Sequence, residues 1–211
     1  MAGITRRDMV KVLASASVAA SFSWTEDEIW AASELAQAAR AATAAPYTPK
    51  FFTAHEYETV RTLADMIIPR DERSGSATDV GVPEFIDFMM REEPTSAEDS
   101  LRQTSMRGGL AWLDLECQRR HDKTFAGCSA TERAAVLDDI SWPVREQPPG
   151  ADPPVPDFAP GRAFFFSFRD LTASGFWTSR EGMADLQYMG NRVVAEWTGC
   201  PDAAMKELGV G

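Results

Sequence analysis

The sequence predicts an all-α fold: a single domain of about five or six helices with long loops, preceded by an N-terminal twin-arginine leader. Three observations carry this reading. Apolar residues recur at helical spacing through most of the chain. Start and stop signals bracket those runs, two capping boxes among them. No run of alternating β-branched residues interrupts them, so strands are minor or absent.

Thr53-Ala-His-Glu56 is the first capping box, because the Thr hydroxyl and the Glu carboxylate can each satisfy an orphan backbone N–H. Tyr57, Val60, Ala64, Ile67 and Ile68 follow on one face, and Pro69 ends the helix. Residues 70–78 are polar and contain Gly and Ser, which predicts a loop. Gly81-Val82-Pro83 sets a proline at the first helical position, with Phe85, Ile86, Met89 and Met90 as the apolar face. A longer helix is expected over 97–121, weakened at Gly108-Gly109, with Leu110, Leu113 and Cys117 in its stripe. Ser129-Ala-Thr-Glu132 is the second capping box, opening a helix that turns Val136, Leu137 and Ile140 inward. Six prolines between Arg145 and Pro160 predict an extended loop. Phe164, Phe168 and Leu171 mark a further helix, stopped at Gly175 by a glycine cap. One or two short helices, broken at Gly190, are expected between Ser179 and Trp197.

The N-terminus reads as an address. Arg6 and Arg7 precede a short apolar stretch from Met9 to Phe22, too short for the roughly 20 residues of a bilayer span. Thr-Arg-Arg-x-Met-Val-Lys resembles the twin-arginine export signal, which implies a periplasmic protein. Small-x-small cleavage sites stand at Ala36-Gln37-Ala38 and Ala42-Thr43-Ala44, beyond an acidic, helix-like segment from Thr25 to Arg40. Residues 1–44 are therefore assigned to leader and linker, and 45–211 to the helical domain. Removing the first 44 residues leaves the charge at −10, so the acidity belongs to the domain.

That charge, −11 for the whole chain, excludes the clustered Lys and Arg of a nucleic-acid surface or of a domain drawn to anionic lipid. Two histidines and three scattered cysteines fall short of a zinc or iron–sulfur ligand set. His55-Glu56 lacks the second histidine of a metalloprotease motif, and His121 belongs at a helix C-terminus. Glu92-Glu93 and Asp138-Asp139 are adjacent acids that point to different faces of a helix. No Gly-rich phosphate loop and no nucleophile elbow occurs. No catalytic, cofactor-binding or metal-binding residue is assigned.

Cys117 and Cys128 lie at a helix–loop–helix corner that can bring two Cα atoms to the roughly 5.5–6 Å of a disulfide. Oxidising surroundings after export favour the bond, which would stabilise the fold by on the order of 3 kcal/mol. Cys200 is left without a mate. Phe164-Phe165-Phe166-x-Phe168 is aromatic all round, so its helix is buried on more than one side, inside the domain or against a partner.

The body resembles the gluconate 2-dehydrogenase subunit 3 family. The matching strings are Leu63-Ala-Asp-Met-Ile-Ile-Pro69, Gly81-Val-Pro-Glu-Phe-Ile-Asp87, Gly109-Leu-Ala-Trp-Leu-Asp114 and Leu171-Thr-Ala-Ser-Gly-Phe-Trp-Thr-Ser179. Tyr188-Met-Gly-Asn191 and Trp197-Thr-Gly-Cys-Pro201 also look like that family, although Arg-Val-Val-Ala-Glu stands where a proline-containing linker is expected. The resemblance implies a non-catalytic small subunit without a cofactor of its own. Its partner would be a large FAD-dependent flavoprotein of the glucose–methanol–choline type that oxidises a sugar or sugar acid and passes electrons to a cytochrome c or similar acceptor. The small subunit would assist export, folding and stability of that partner. Six Trp, twelve Phe and nine Met exceed what a core of this size needs, and aromatic residues and Met gather at interface centres. Phe164, Phe168, Phe176, Trp177, Tyr188, Asn191 and Trp197 are therefore the expected partner interface, within a region from Arg145 to Trp197. The alternative is a free periplasmic carbohydrate-binding module with Trp112, Trp142, Trp177 or Trp197 as stacking platforms; a stand-alone enzyme with an Asp or Glu base ranks below it.

Overall fold

The computed structural model describes residues 24–42, 47–91, 97–141 and 159–187, with 205–206 and 209. Among the described residues there are eight helices and no strand. They are α1 (Glu26–Ala42), α2 (Ala54–Ile67), α3 (Ala77–Val80), α4 (Val82–Arg91), α5 (Ala97–His121), α6 (Ala130–Ser141), α7 (Ala159–Trp177) and α8 (Arg180–Asp185).

Both capping boxes form. Thr53 Oγ1 accepts from Glu56 N at 3.2 Å while Thr53 N donates to Glu56 Oε2 at 2.8 Å. Ser129 and Glu132 repeat the exchange at the start of α6. Helix α2 closes before Pro69, where Ile68 N donates to the Ala64 carbonyl. Its buried side chains are Thr59, Val60, Leu63 and Ala64, with Tyr57, Ile67 and Ile68 at the core margin. On α4 the expected face of Phe85, Ile86, Met89 and Met90 is buried, and Pro83 stands second in the helix rather than first. The α6 face of Val136, Leu137 and Ile140 is buried as its spacing requires.

Three further expectations are corrected. Residues 77–80, read as the end of a loop and the approach to the next helix, form the one-turn α3. It is seeded by a reciprocal cap between Ser76 and Asp79, an aspartate where the familiar signature carries Glu or Gln. Gly175 does not cap α7, which continues to Trp177. A Cβ at Gly175 would lie 2.6 Å from the Phe85 ring, so this glycine admits an aromatic side chain against the helix backbone. Gly108-Gly109 does not weaken α5, because Phe164 sits directly on Gly109, where a Cβ would meet the ring at 1.9 Å. The acidic, helix-like segment from Thr25 to Arg40 is α1, which packs chiefly on α4 and also on α7.

Helix α7 is the hub. It touches each of the seven other helices, which is why its aromatic residues are not confined to one stripe. Phe164, Phe168, Phe176 and Leu171 are almost completely buried and meet residues from several helices. Each ring of this size removes on the order of 150–250 Å² from contact with water, so the hub supplies a large share of the hydrophobic stabilisation.

The carboxylates of the sequence motifs fasten loops to this frame. Asp87, fully buried on α4, accepts four hydrogen bonds: from the Tyr47 hydroxyl (2.7 Å) and Lys50 N (2.8 Å) at Oδ2, and from Phe51 N (3.0 Å) and Phe52 N (3.1 Å) at Oδ1. Asp65 on α2 accepts from Thr78 N at 2.7 Å, holding α3. Asp114 on α5 accepts from Phe125 N at 2.8 Å, holding the α5–α6 turn, and from the His55 ring at 2.5 Å. Arg107 completes the brace by donating to Glu56 and to the Phe51 carbonyl while its guanidinium lies 4.4 Å over the Phe51 ring.

Replacing Asp87 with Ala leaves four donors without their acceptor, one of them the buried Phe52 N–H. The expected cost is about 3 kcal/mol or more. Thermal denaturation should show it as a fall in Tm of roughly 6–12 °C. An unchanged Tm would show that the 47–52 segment is held by something other than this carboxylate.

Candidate functional site

Of the expected interface residues, the fold disperses the set. Phe164, Phe168 and Phe176 are 0–1% exposed, so these three side chains belong to the chain's own core and present no surface to a partner in this fold. The all-round aromatic pattern was compatible with either burial inside the domain or burial against a partner. The central position of α7 decides for the first. Trp177 differs. It follows Phe176 at the end of α7, packs edge-on against that ring at 4.9 Å, and remains 39% exposed. Tyr188, Asn191 and Trp197 lie outside the described residues, as do Arg6, Arg7 and Cys200.

Trp177 has a neighbour that sequence reasoning missed. An open groove of about 520 Å³ runs between α1 and α7, lined by Glu26, Ile29, Trp30, Ala173, Ser174, Trp177 and Thr178. Trp30 is 49% exposed. Two half-exposed indoles thus share one open groove. The signal for Trp30 was present in the sequence but fell within the segment assigned to the leader. Trp112, a candidate stacking platform, is buried instead, with its ring over Gly161 at a distance that would put a Cβ 2.4 Å away. Trp142 lies outside the described residues.

The titratable groups are arranged as braces. Arg120 joins Glu116 (2.6 Å) to Asp139 (2.7 Å), tying α5 to α6, and Arg119 reaches the same Glu116. The hydrogen bond from Arg119, aided by Arg120, holds the Glu116 carboxyl below its ordinary range. Asp139 is thereby held as half of an ion pair with Arg120. Glu92-Glu93 lies outside the described residues. At the α5–α6 turn, Lys123 and the Ser129 backbone hold Glu132 down at about 2. His121, in the last turn of α5, stands 3.8 Å from the same carboxylate. Tyr57 stands beside Glu84. Burial, then the neighbouring carboxylate, raises its hydroxyl far above the ordinary phenol range, so it stays protonated. Among the described residues no group of three or more His, Cys, Asp or Glu could hold a metal ion.

Cys117 and Cys128 are brought together. Both are buried thiols, close enough for a side-chain hydrogen bond. Burial foremost, with Cys128 adding to it, pushes the Cys117 thiol up to about 12, far from the thiolate that attacks disulfides. The α5–α6 corner read from the sequence therefore exists, and in this structure it holds two thiols.

Among the described residues, no helix is long and apolar enough to cross a membrane. No curated protein and no solved structure matches the chain. The family model described as gluconate 2-dehydrogenase subunit 3 matches residues 54–196, from the first residue of α2 to beyond α8. All the strings that carried the resemblance up to Asn191 fall within that span, and it takes in more than half of the sequence. The chain belongs to the gluconate 2-dehydrogenase subunit 3 family.

Proposed function

We propose that this chain is the non-catalytic small subunit of a periplasmic sugar or sugar-acid dehydrogenase. It binds the FAD-carrying, glucose–methanol–choline type catalytic subunit and escorts it through the twin-arginine route. The observation that carries the reading is membership in a family of dehydrogenase subunits, in a chain whose acids and bases are engaged in holding loops together. Arg6-Arg7 ahead of a short apolar stretch supports the export step. Twin-arginine export carries folded cargo, which suits a partner that takes up its flavin before crossing. Electrons leaving that partner would go to a cytochrome c or similar acceptor. The groove bearing Trp30 and Trp177 is the surface offered to the flavoprotein. A free carbohydrate-binding module fits less well, since Trp112 is covered by α7.

Replacing both Arg6 and Arg7 with Lys should leave this chain and its flavoprotein in the cytoplasm. Fractionation that still finds the flavoprotein in the periplasm would remove the escort role. Trp177→Ala should weaken assembly by about 2 kcal/mol or more, as expected of an interface hot spot, with the substrate affinity of the remaining complex little changed. Assembly indifferent to Trp177→Ala and to Trp30→Ala would place the interface away from this groove.

The juxtaposed Cys117 and Cys128 support a disulfide in the exported protein. Non-reducing peptide mapping should link the peptides that hold them and find Cys200 alkylated. Serine at either position should then cost about 2–4 kcal/mol of stability. Recovery of both as free thiols from the periplasmic protein, or a link to Cys200, would overturn the pairing.

A further inference from the structure

We propose that α1 is a permanent part of the mature subunit, and that any peptidase trimming the leader cuts before Trp24 rather than at Ala36-Gln37-Ala38 or Ala42-Thr43-Ala44. The proposal rests on the export reading only for the existence of a leader to remove.

The argument begins with what α1 buries. Ala32, Ser33 and Ala36 lie on its inner face at 3–5% exposed, against α4 and α7. Alanine and serine at i, i+1 and i+4 make a narrow, small-residue face, which lets the helix lie close on its neighbours. Ser33 Oγ donates to the Thr178 carbonyl just past α7 at 3.2 Å, and Gln37 Nε2 donates back to Ser33 Oγ at 3.1 Å. The N-terminal end is fastened as well. The Arg102 guanidinium lies 4.4 Å over the Trp24 ring and 3.8 Å from Glu28, while Glu28 accepts from both Thr25 N and Thr25 Oγ1. Toward the C-terminal end the Arg40 stem packs over Gly81, so close that a Cβ there would lie 2.6 Å from it. A leader segment in transit has no need of such contacts at three points along its length.

The two cleavage sites read differently against this helix. A peptidase takes its substrate extended. Ala36-Gln37-Ala38 is mid-helix, and Ala36 is among the buried residues, so cutting there requires lifting α1 off α4 and unwinding it. A cut after Ala44 would release α1 from the chain and uncover the face of α4 beneath it. The chain that follows is pinned to that same helix, since Tyr47, Lys50, Phe51 and Phe52 all donate to Asp87. Upstream, Ala14-Ser15-Ala16 and Val18-Ala19-Ala20 supply small residues within the second half of the apolar stretch, where a cut leaves α1 whole.

The test is intact mass and N-terminal sequencing of the subunit purified from the periplasm in complex with its partner. The expected N-terminus lies at or before Trp24. A chain beginning at Ala39 or Ala45, with or without a bound α1 peptide, overturns the proposal. As an independent arm, Ala36→Asp in the full chain sets a carboxylate in the α1–α4 contact. It should lower Tm by several degrees and open the 37–45 region to protease; an unchanged Tm overturns the docking of α1. An untrimmed chain found only in the cytoplasm supports retention of α1 and sinks the export reading of Arg6-Arg7, so the two failures are distinguishable.

Discussion

Everything in this fold answers to one constraint: a single helix must be reached from all sides. Helix α7 meets each of the other seven, and a helix carrying large aromatic side chains all round cannot approach so many neighbours at ordinary spacing. Glycine resolves the conflict at the crossings. Gly109 lets Phe164 lie on the α5 backbone, and Gly175 lets Phe85 of α4 lie on α7 itself. Protein interiors are packed as tightly as organic crystals, so a single added methyl at either point would displace a ring with no empty space to enter. The position of the aromatic rings and of the glycines is one arrangement.

Around that hub, the acidic character of the chain acquires a structural meaning. Asp65, Asp87 and Asp114 each stand within or at the end of an apolar motif string, and each binds backbone N–H groups of a neighbouring segment. A carboxylate suits this task because it accepts several hydrogen bonds at once, and charge-assisted bonds are stronger than neutral ones. The chain thereby ties residues 47–52, the start of α3 and the α5–α6 turn to three different helices. The loops that would otherwise loosen the bundle are held by residues that composition alone counts as surface charge.

The helices whose ends carry local chemistry were legible in the sequence. Thr53 with Glu56, Ser129 with Glu132 and Pro69 act within a single turn, so their meaning does not depend on the rest of the fold. The extent of α5 and the buried faces of α4 and α6 follow from periodicity in the same way. What escaped was set by tertiary contact. Gly175 carries the same local signal whether it caps a helix or admits a ring, and only the position of Phe85 decides. The Phe164 to Phe168 run shows that a helix is covered on several sides without saying by what. Helix α1 was legible as a helix-like segment, but its place behind a leader signal concealed its packing, and with it the part of the exposed Trp30 beside Trp177. Asp87 stood in plain view in a quoted motif. Its four donors, however, come from a segment some forty residues earlier in the chain, beyond what any local pattern can encode.

The central position of α7 also has a temporal side. Helices are made in order, and this one follows all but α8 of the helices it organises. While α1 to α6 are being synthesised, the surfaces meant for Phe164, Phe168 and Phe176 have nothing to cover them. Such a nascent chain can form capped helices and some local pairs, but its core stays incomplete until the hub arrives, and exposed apolar surface in that interval invites aggregation. The core described here can therefore close only after the residues around Trp177 have been made.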